Sequence, residues 1–189
     1  SSGPGGYARE HGMLPDALVV GKPIGGGIPC AVYGFTEELA RKVEQAKRGA
    51  PPGHSGVGTT LSANMFAMAA MRANLEQVMT EAAYQRMFGL AARLADGLRD
   101  VIARHGLPWC VTRVGARTEF QFAPSSPRNG GEAQAILDGE LEQIIHLYLL
   151  NRGLLITPFH NMLLVCPATA ESDVARLLTA FDECLGEMH

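Results

Sequence analysis

The chain has 189 residues with 16 basic and 19 acidic side chains, so its net charge is −3 and it carries no basic surplus to grip a nucleic-acid backbone. Its hydrophobic content of 47% is enough to bury a core, yet no apolar run reaches the roughly 20 residues of a membrane helix, and its start does not resemble a signal peptide. Cys30, Cys110, Cys166 and Cys184 are scattered, without a C-x-x-C pair or a histidine at ligand spacing. Zinc and a disulfide framework are therefore not expected, no metal site is assigned, and a cytoplasmic location is the default.

Residues 17–21 are rich in Val and Leu and bounded by Pro15 and glycines, which predicts a short strand buried on both faces of a parallel sheet. Residues 31–35 repeat that signal. Thr36 followed by Glu37 and Glu38 reads as an N-cap with an acidic first turn, opening a polar helix that ends by Gly49. The Pro- and Gly-rich residues 50–58 predict a loop. Residues 62–64 then lead into a Met- and Ala-rich stretch at 65–73. A long amphipathic helix is predicted over about 80–105, with Leu90, Leu94, Leu98 and Ile102 four residues apart.

Beyond Gly106 and Pro108, alternating patterns predict strands at 109–114 and 118–122, followed by a loop at 124–131. A helix over 132–152, strands at 154–156 and 162–165, and a last helix at 171–187 complete the chain. The pattern changes between residues 75 and 105, from buried-strand and glycine-loop chemistry to alternating α+β segments. Two domains are expected: residues 1–75, and residues 76–189 with the long helix as a bridge.

The segment most informative about chemistry is Asp16–Pro29, where Lys22 stands between an apolar strand and the run Gly25-Gly26-Gly27. A lysine held out of water has a lowered pKa and reacts as a neutral amine with carbonyl compounds. Glycines beside it let the backbone turn with positive φ and let a planar group lie close. A phosphate loop is a poor alternative, because Pro23 follows the lysine where that motif needs Ser or Thr.

The stretch PDALVVGKPIGGGIPCAVYG resembles the signature of class III aminotransferases, fold-type I pyridoxal-phosphate enzymes, and within them the glutamate-1-semialdehyde aminomutase-like branch. The later Gly58-Thr59-Thr60-Leu61-Ser62-Ala63-Asn64 resembles the GT-[LF]-S-G-N-P element of the same family. The resemblance implies an α/β fold in which residues 1–75 are the C-terminal part of a large mixed-sheet, cofactor-binding domain and residues 76–189 form a small α+β C-terminal domain. Subunits of that family are more than twice this length, and SSGPGGYAREHG resembles the sequence just after its acidic strand. The chain is therefore expected to be the C-terminal portion of a larger polypeptide. The acidic partner of the pyridine nitrogen, the ring-stacking aromatic and the first phosphate loop are expected upstream of Ser1.

The resemblance further implies that Lys22 forms the Schiff base with pyridoxal 5′-phosphate and then shuttles the proton during amino-group transfer between an amino donor and a keto or aldehyde acceptor. It implies a homodimer with a shared active site, in which Thr60 reaches the cofactor phosphate of the neighbouring subunit and Thr59 stands where the family often has glycine. Ala63 and Met65 depart from the Gly and Pro usual in that element. A threonine at a helix start suits a phosphate, and an ordinary N-cap by Thr60 or Ser62 suits the same spacing.

Two further substrate contacts are weaker candidates: His54 in the glycine loop and Arg117 on a predicted strand, where a structural ion pair serves equally well. The segment Pro158–Pro167 contains no arginine, which argues against the ω-amino acid and ornithine enzymes. An aminomutase would use the same lysine and cofactor cycle. A non-catalytic assembly module lacking the upstream half of the site is the alternative from a different class, since cut sheet edges demand a partner.

Overall fold

A computed structural model describes residues 1–54, 56–58 and 60–188. They form two compact units, one of Pro4–Thr80 and one of Glu81–His189 joined by Ser1–Gly3.

In the first unit, a short helix α1 (Gly6–Glu10) precedes β1 (Ala17–Val20), a 3₁₀ turn (Lys22–Gly25), β2 (Val32–Phe35), α2 (Glu37–Arg48) and α3 (Met65–Gln77). β1 pairs with β2 antiparallel, Ala17 opposite Phe35 and Val20 opposite Val32. The expected parallel, doubly buried strand is corrected on both counts. A parallel return needs a crossover, usually a helix, and the connection between these strands holds only the one 3₁₀ turn. All four residues of β1 are exposed, Val19 at 74%.

α2 follows the sequence closely. Leu39 N donates to Thr36 Oγ1 at 3.3 Å, Gly49 ends the helix, and Glu37–Arg41 and Glu38–Lys42 pair along its solvent face. Such exposed i,i+4 pairs add only about 0.3–0.5 kcal/mol each, so the cap and the helix-forming composition carry this element.

The second unit is built on α4 (Glu81–Arg104), whose Leu90, Leu94, Leu98 and Ile102 are all at most 4% exposed. A hairpin of β3 (Cys110–Val114) and β4 (Arg117–Gln121) packs on it. β5 (Met162–Leu164) lies antiparallel to β4, giving sheet order β3-β4-β5. Phe120 of β4 meets Phe181 of α7 (Glu171–Glu187) at 4.8 Å between ring centroids, and Trp109 stacks on Phe120 at 6.1 Å. Truncating a leucine such as Leu98 in this core is expected to cost about 2–5 kcal/mol.

The hairpin turn requires Gly115. Its φ is +59°, and an added Cβ would run into the backbone of Ser1, whose carbonyl accepts from Ala116 N at 3.1 Å.

Two expectations fail in this unit. The helix over 132–152 is two helices, α5 (Gly130–Ala135) and α6 (Gly139–Asn151), because Asp138 leaves helical geometry and accepts from Leu141 N at 3.0 Å to start the second. Residues 154–156 lie outside any strand: Leu154 N closes the end of α6 by donating to Leu149 O, and Leu155 is 79% exposed. Among the described residues no helix is long and apolar enough to cross a membrane, and no cluster of His, Cys, Asp and Glu could hold a metal.

Candidate active site

Lys22 opens the 3₁₀ turn that follows β1, and it does so with φ at +53°, a conformation L-residues rarely adopt. The next residue is Pro23, which further restricts its predecessor. The lysine is exposed, not held out of water as expected, since β1 pairs with β2 alone in this chain. Lys22 has no hydrogen bond or ion pair among the described residues, so its amine is free of any carboxylate.

The turn is held from one side by α3. Asn74, 8% exposed, donates through Nδ2 to Pro23 O at 2.8 Å and to Ile24 O at 3.1 Å. Gly26 and Gly27 take the positive φ that the sequence suggested, at +60° and +102°, and the run also makes close approaches. A Cβ on Gly25 would sit 2.6 Å from Cys30 Sγ, and one on Gly26 would sit 3.2 Å from the Asn74 amide. Two of the three glycines thus make room for side chains of the protein itself, and only Gly27 opens onto free space. Cys30 is a free thiol packed against this turn.

Thr60 is exposed and lies in a turn ahead of α3, not at its start. The cap of α3 is Asn64, whose Oδ1 accepts from Ala67 N at 3.1 Å, so neither Thr60 nor Ser62 is the N-cap. Thr59 lies outside the described residues. Ala63, in place of the family's glycine, keeps a positive φ of 58°. The two signature segments meet along a groove of about 620 Å³, lined by residues 28–32 on one side and by residues 61–64, Phe66 and Met71 on the other. Lys22 and Thr60 do not line it.

The weaker candidates are both engaged elsewhere. His54 Nδ1 accepts from Gly56 N at 3.1 Å within its own loop. Arg117, in the second unit, donates through Nε at 2.8 Å and through Nη2 to the carboxylate of Glu119, the structural ion pair that the sequence left open. Asn74 went unnoticed in the sequence. Its signal was a polar, helix-disfavouring side chain inside a Met- and Ala-rich helix.

The model of the family described as aminotransferase class-III matches residues 2–185. The chain belongs to the class-III aminotransferase family. Among curated relatives, glutamate-1-semialdehyde 2,1-aminomutase 2 of Brevibacillus brevis is 34% identical over 93% of this chain and 40% of its own length. The corresponding aminomutase of Thermus thermophilus is 35% identical over 96% and 41%. Among solved structures, a glutamate-1-semialdehyde aminomutase of Pseudomonas aeruginosa matches with TM-score 0.93 and 48% identity, over 100% of this chain and 42% of that one. A lysine-to-alanine variant of it was crystallised with PMP. A β-phenylalanine aminotransferase of Variovorax paradoxus matches with TM-score 0.79 and 27% identity, over 98% and 42%.

This class-III aminotransferase chain therefore spans about two fifths of the relatives it matches, with their mixed α and β fold. The family's cofactor is pyridoxal phosphate, and the residues present fit it. The unpaired amine of Lys22, on a turn fixed by its neighbours, is the donor chemistry an aldehyde cofactor needs.

Proposed function

We propose that this chain is the C-terminal portion of a pyridoxal-phosphate-dependent aminotransferase subunit that moves an amino group between an amino donor and a keto or aldehyde acceptor. Pro4–Thr80 is then the tail of the large cofactor domain, and Glu81 onward, with Ser1–Gly3, is the small C-terminal domain. The observation that carries this is the free amine of Lys22, displayed on a braced turn in a chain whose family match runs over residues 2–185. The cofactor, when bound, supplies the electron sink for the reaction. Lys22 would hold it through its amine, and the same Nζ would accept and return the proton during transfer.

Thr60 and Thr59 are proposed to bind the cofactor phosphate of a neighbouring subunit through hydroxyl and backbone donors. A shared site of this kind needs a homodimer, and the exposed Phe66 and Met68 on α3 offer apolar surface for one. The remaining length of the subunit and its partner would bury β1 and exclude water from Lys22. Metabolic chemistry of this kind is proposed to be cytoplasmic. His54 and Arg117 are left out of the proposal, since His54 Nδ1 is taken by Gly56 N and Arg117 Nε and Nη2 by Glu119.

A second reading is an aminomutase, which returns the amino group to the same carbon skeleton. The identities of 34% and 35% to glutamate-1-semialdehyde aminomutases favour it.

Borohydride reduction of the cofactor-loaded complete subunit, followed by peptide mapping, tests the proposal. The label is expected on Lys22 and is expected to vanish in Lys22→Ala. A label on Lys42 or Lys47, or one that survives in the variant, overturns it. Product formation from a single amino aldehyde without an added acceptor selects the aminomutase.

A further inference from the structure

Lys22 sits in a left-handed backbone conformation at the start of a single short 3₁₀ turn. Where the 3₁₀ turn meets its flanks, Ile24 N donates to Gly21 O over a long 3.4 Å and Gly26 N to Pro23 O at 3.0 Å, and Pro23 has no N–H to contribute. A lysine at φ +53° ahead of a proline would relax to an extended conformation if released. Relaxation would swing the Cα–Cβ bond and carry the amine with it.

A further restraint comes from Asn74. It lies near the end of the 13-residue α3, where its own carbonyl accepts from Val78 N at 3.0 Å and Met79 N at 2.9 Å, so its main chain is tied into the helix terminus. From that anchor the two hydrogens of Nδ2 reach the carbonyls of Pro23 and Ile24, and the amide fills the space beside Gly26. An asparagine is disfavoured inside a helix and costly when buried unless its polar atoms are paired. Here both donor hydrogens are used on one turn, the turn that bears the lysine.

We propose that Asn74 is a positioning residue: it fixes the Lys22–Gly25 turn so that the Lys22 amine keeps one direction toward the cofactor aldehyde and the substrate carbon. This rests on Lys22 being the cofactor-binding lysine. Asp at position 74 keeps the shape but offers no donor and turns a negative charge on two carbonyl oxygens. Leu keeps the bulk and offers neither.

The test uses the complete subunit with Asn74→Asp and Asn74→Leu, and with Leu98→Ala as a control that destabilises the other unit without touching the turn. In the apoprotein, hydrogen exchange at the Gly26 amide is expected to rise about 10-fold or more in both position-74 variants, while Val78 and Met79 keep their protection. In the loaded protein, the pH midpoint of the visible band of the borohydride-reducible linkage is expected to shift. The turnover number should fall by about 10- to 100-fold with KM for the amino donor little changed. Leu98→Ala should move none of these. Unchanged Gly26 exchange and an unchanged pH midpoint in the variants overturn the proposal. So does a uniform loss of protection throughout α3, which would make Asn74 a general packing residue. If the wild-type linkage maps to a lysine other than Lys22, the functional reading fails instead, and the exchange experiment still reports whether the clamp exists.

Discussion

His105 Nε2 lies 2.8 Å from Asp182 Oδ1, and Arg104 donates to the other oxygen of the same carboxylate, so the end of α4 is tied to α7 through one acidic side chain. The hydrogen bond from His105, with the Arg104 charge and against partial desolvation, holds the Asp182 carboxyl below its usual range. A depressed carboxyl stabilises the fold above its unfolded pKa, and that contribution is lost as pH falls through the folded value. Asp182→Asn should therefore lower the urea midpoint at neutral pH, with the gap to the parent protein shrinking below about pH 4. A gap that persists at lower pH would assign the loss to packing.

Gly97 of α4 lies so close to α7 that an added Cβ would overlap the Leu178 side chain. Alanine would gain roughly 1 kcal/mol in helix propensity. Overpacking costs about 1–3 kcal/mol, and the whole end of Leu178 has to move. Gly97→Ala is expected to destabilise by about 1–2 kcal/mol in urea unfolding. Net stabilisation would mean that Leu178 repacks freely.

Ala63 holds a left-handed φ of 58° just before the Asn64 cap of α3. Glycine adopts that conformation without a Cβ clash, so Ala63→Gly should stabilise by about 0.5–1 kcal/mol despite its greater unfolded-state entropy. Thermal unfolding measures it, and a lower midpoint would show that the alanine methyl contributes more by contact than it costs in strain.

The cysteines should separate by reactivity. Burial pushes the Cys184 thiol up to about 11, while a hydrogen bond from Thr169 lowers that of the exposed Cys166. Iodoacetamide at pH 8 is expected to alkylate Cys166 in the native protein and Cys184 only after unfolding. Equal rates at the two sites would contradict the packing around Cys184.

Local order was legible wherever one residue or one short pattern sufficed. Thr36 started α2, the four-residue recurrence from Leu90 to Ile102 marked the buried face of α4, and 171–187 matched α7 end to end. The break at Asp138 was missed because apolar residues continue on both sides of it, and only the turn of the backbone makes its side chain a cap. Residues 154–156 have a strand's composition but no partner strand, which composition cannot report.

From its residues alone the protein declared its family and most of its helices. Motif order and helical periodicity are written in neighbours along the chain. Tertiary structure alone decided that β1 returns antiparallel, that Arg117 is spent on Glu119, and that Gly25 and Gly26 make room for Cys30 and Asn74. The physical reason is separation: Asn74 lies 51 residues from Pro23, and a hydrogen bond across that distance exists only once α3 has docked on the turn.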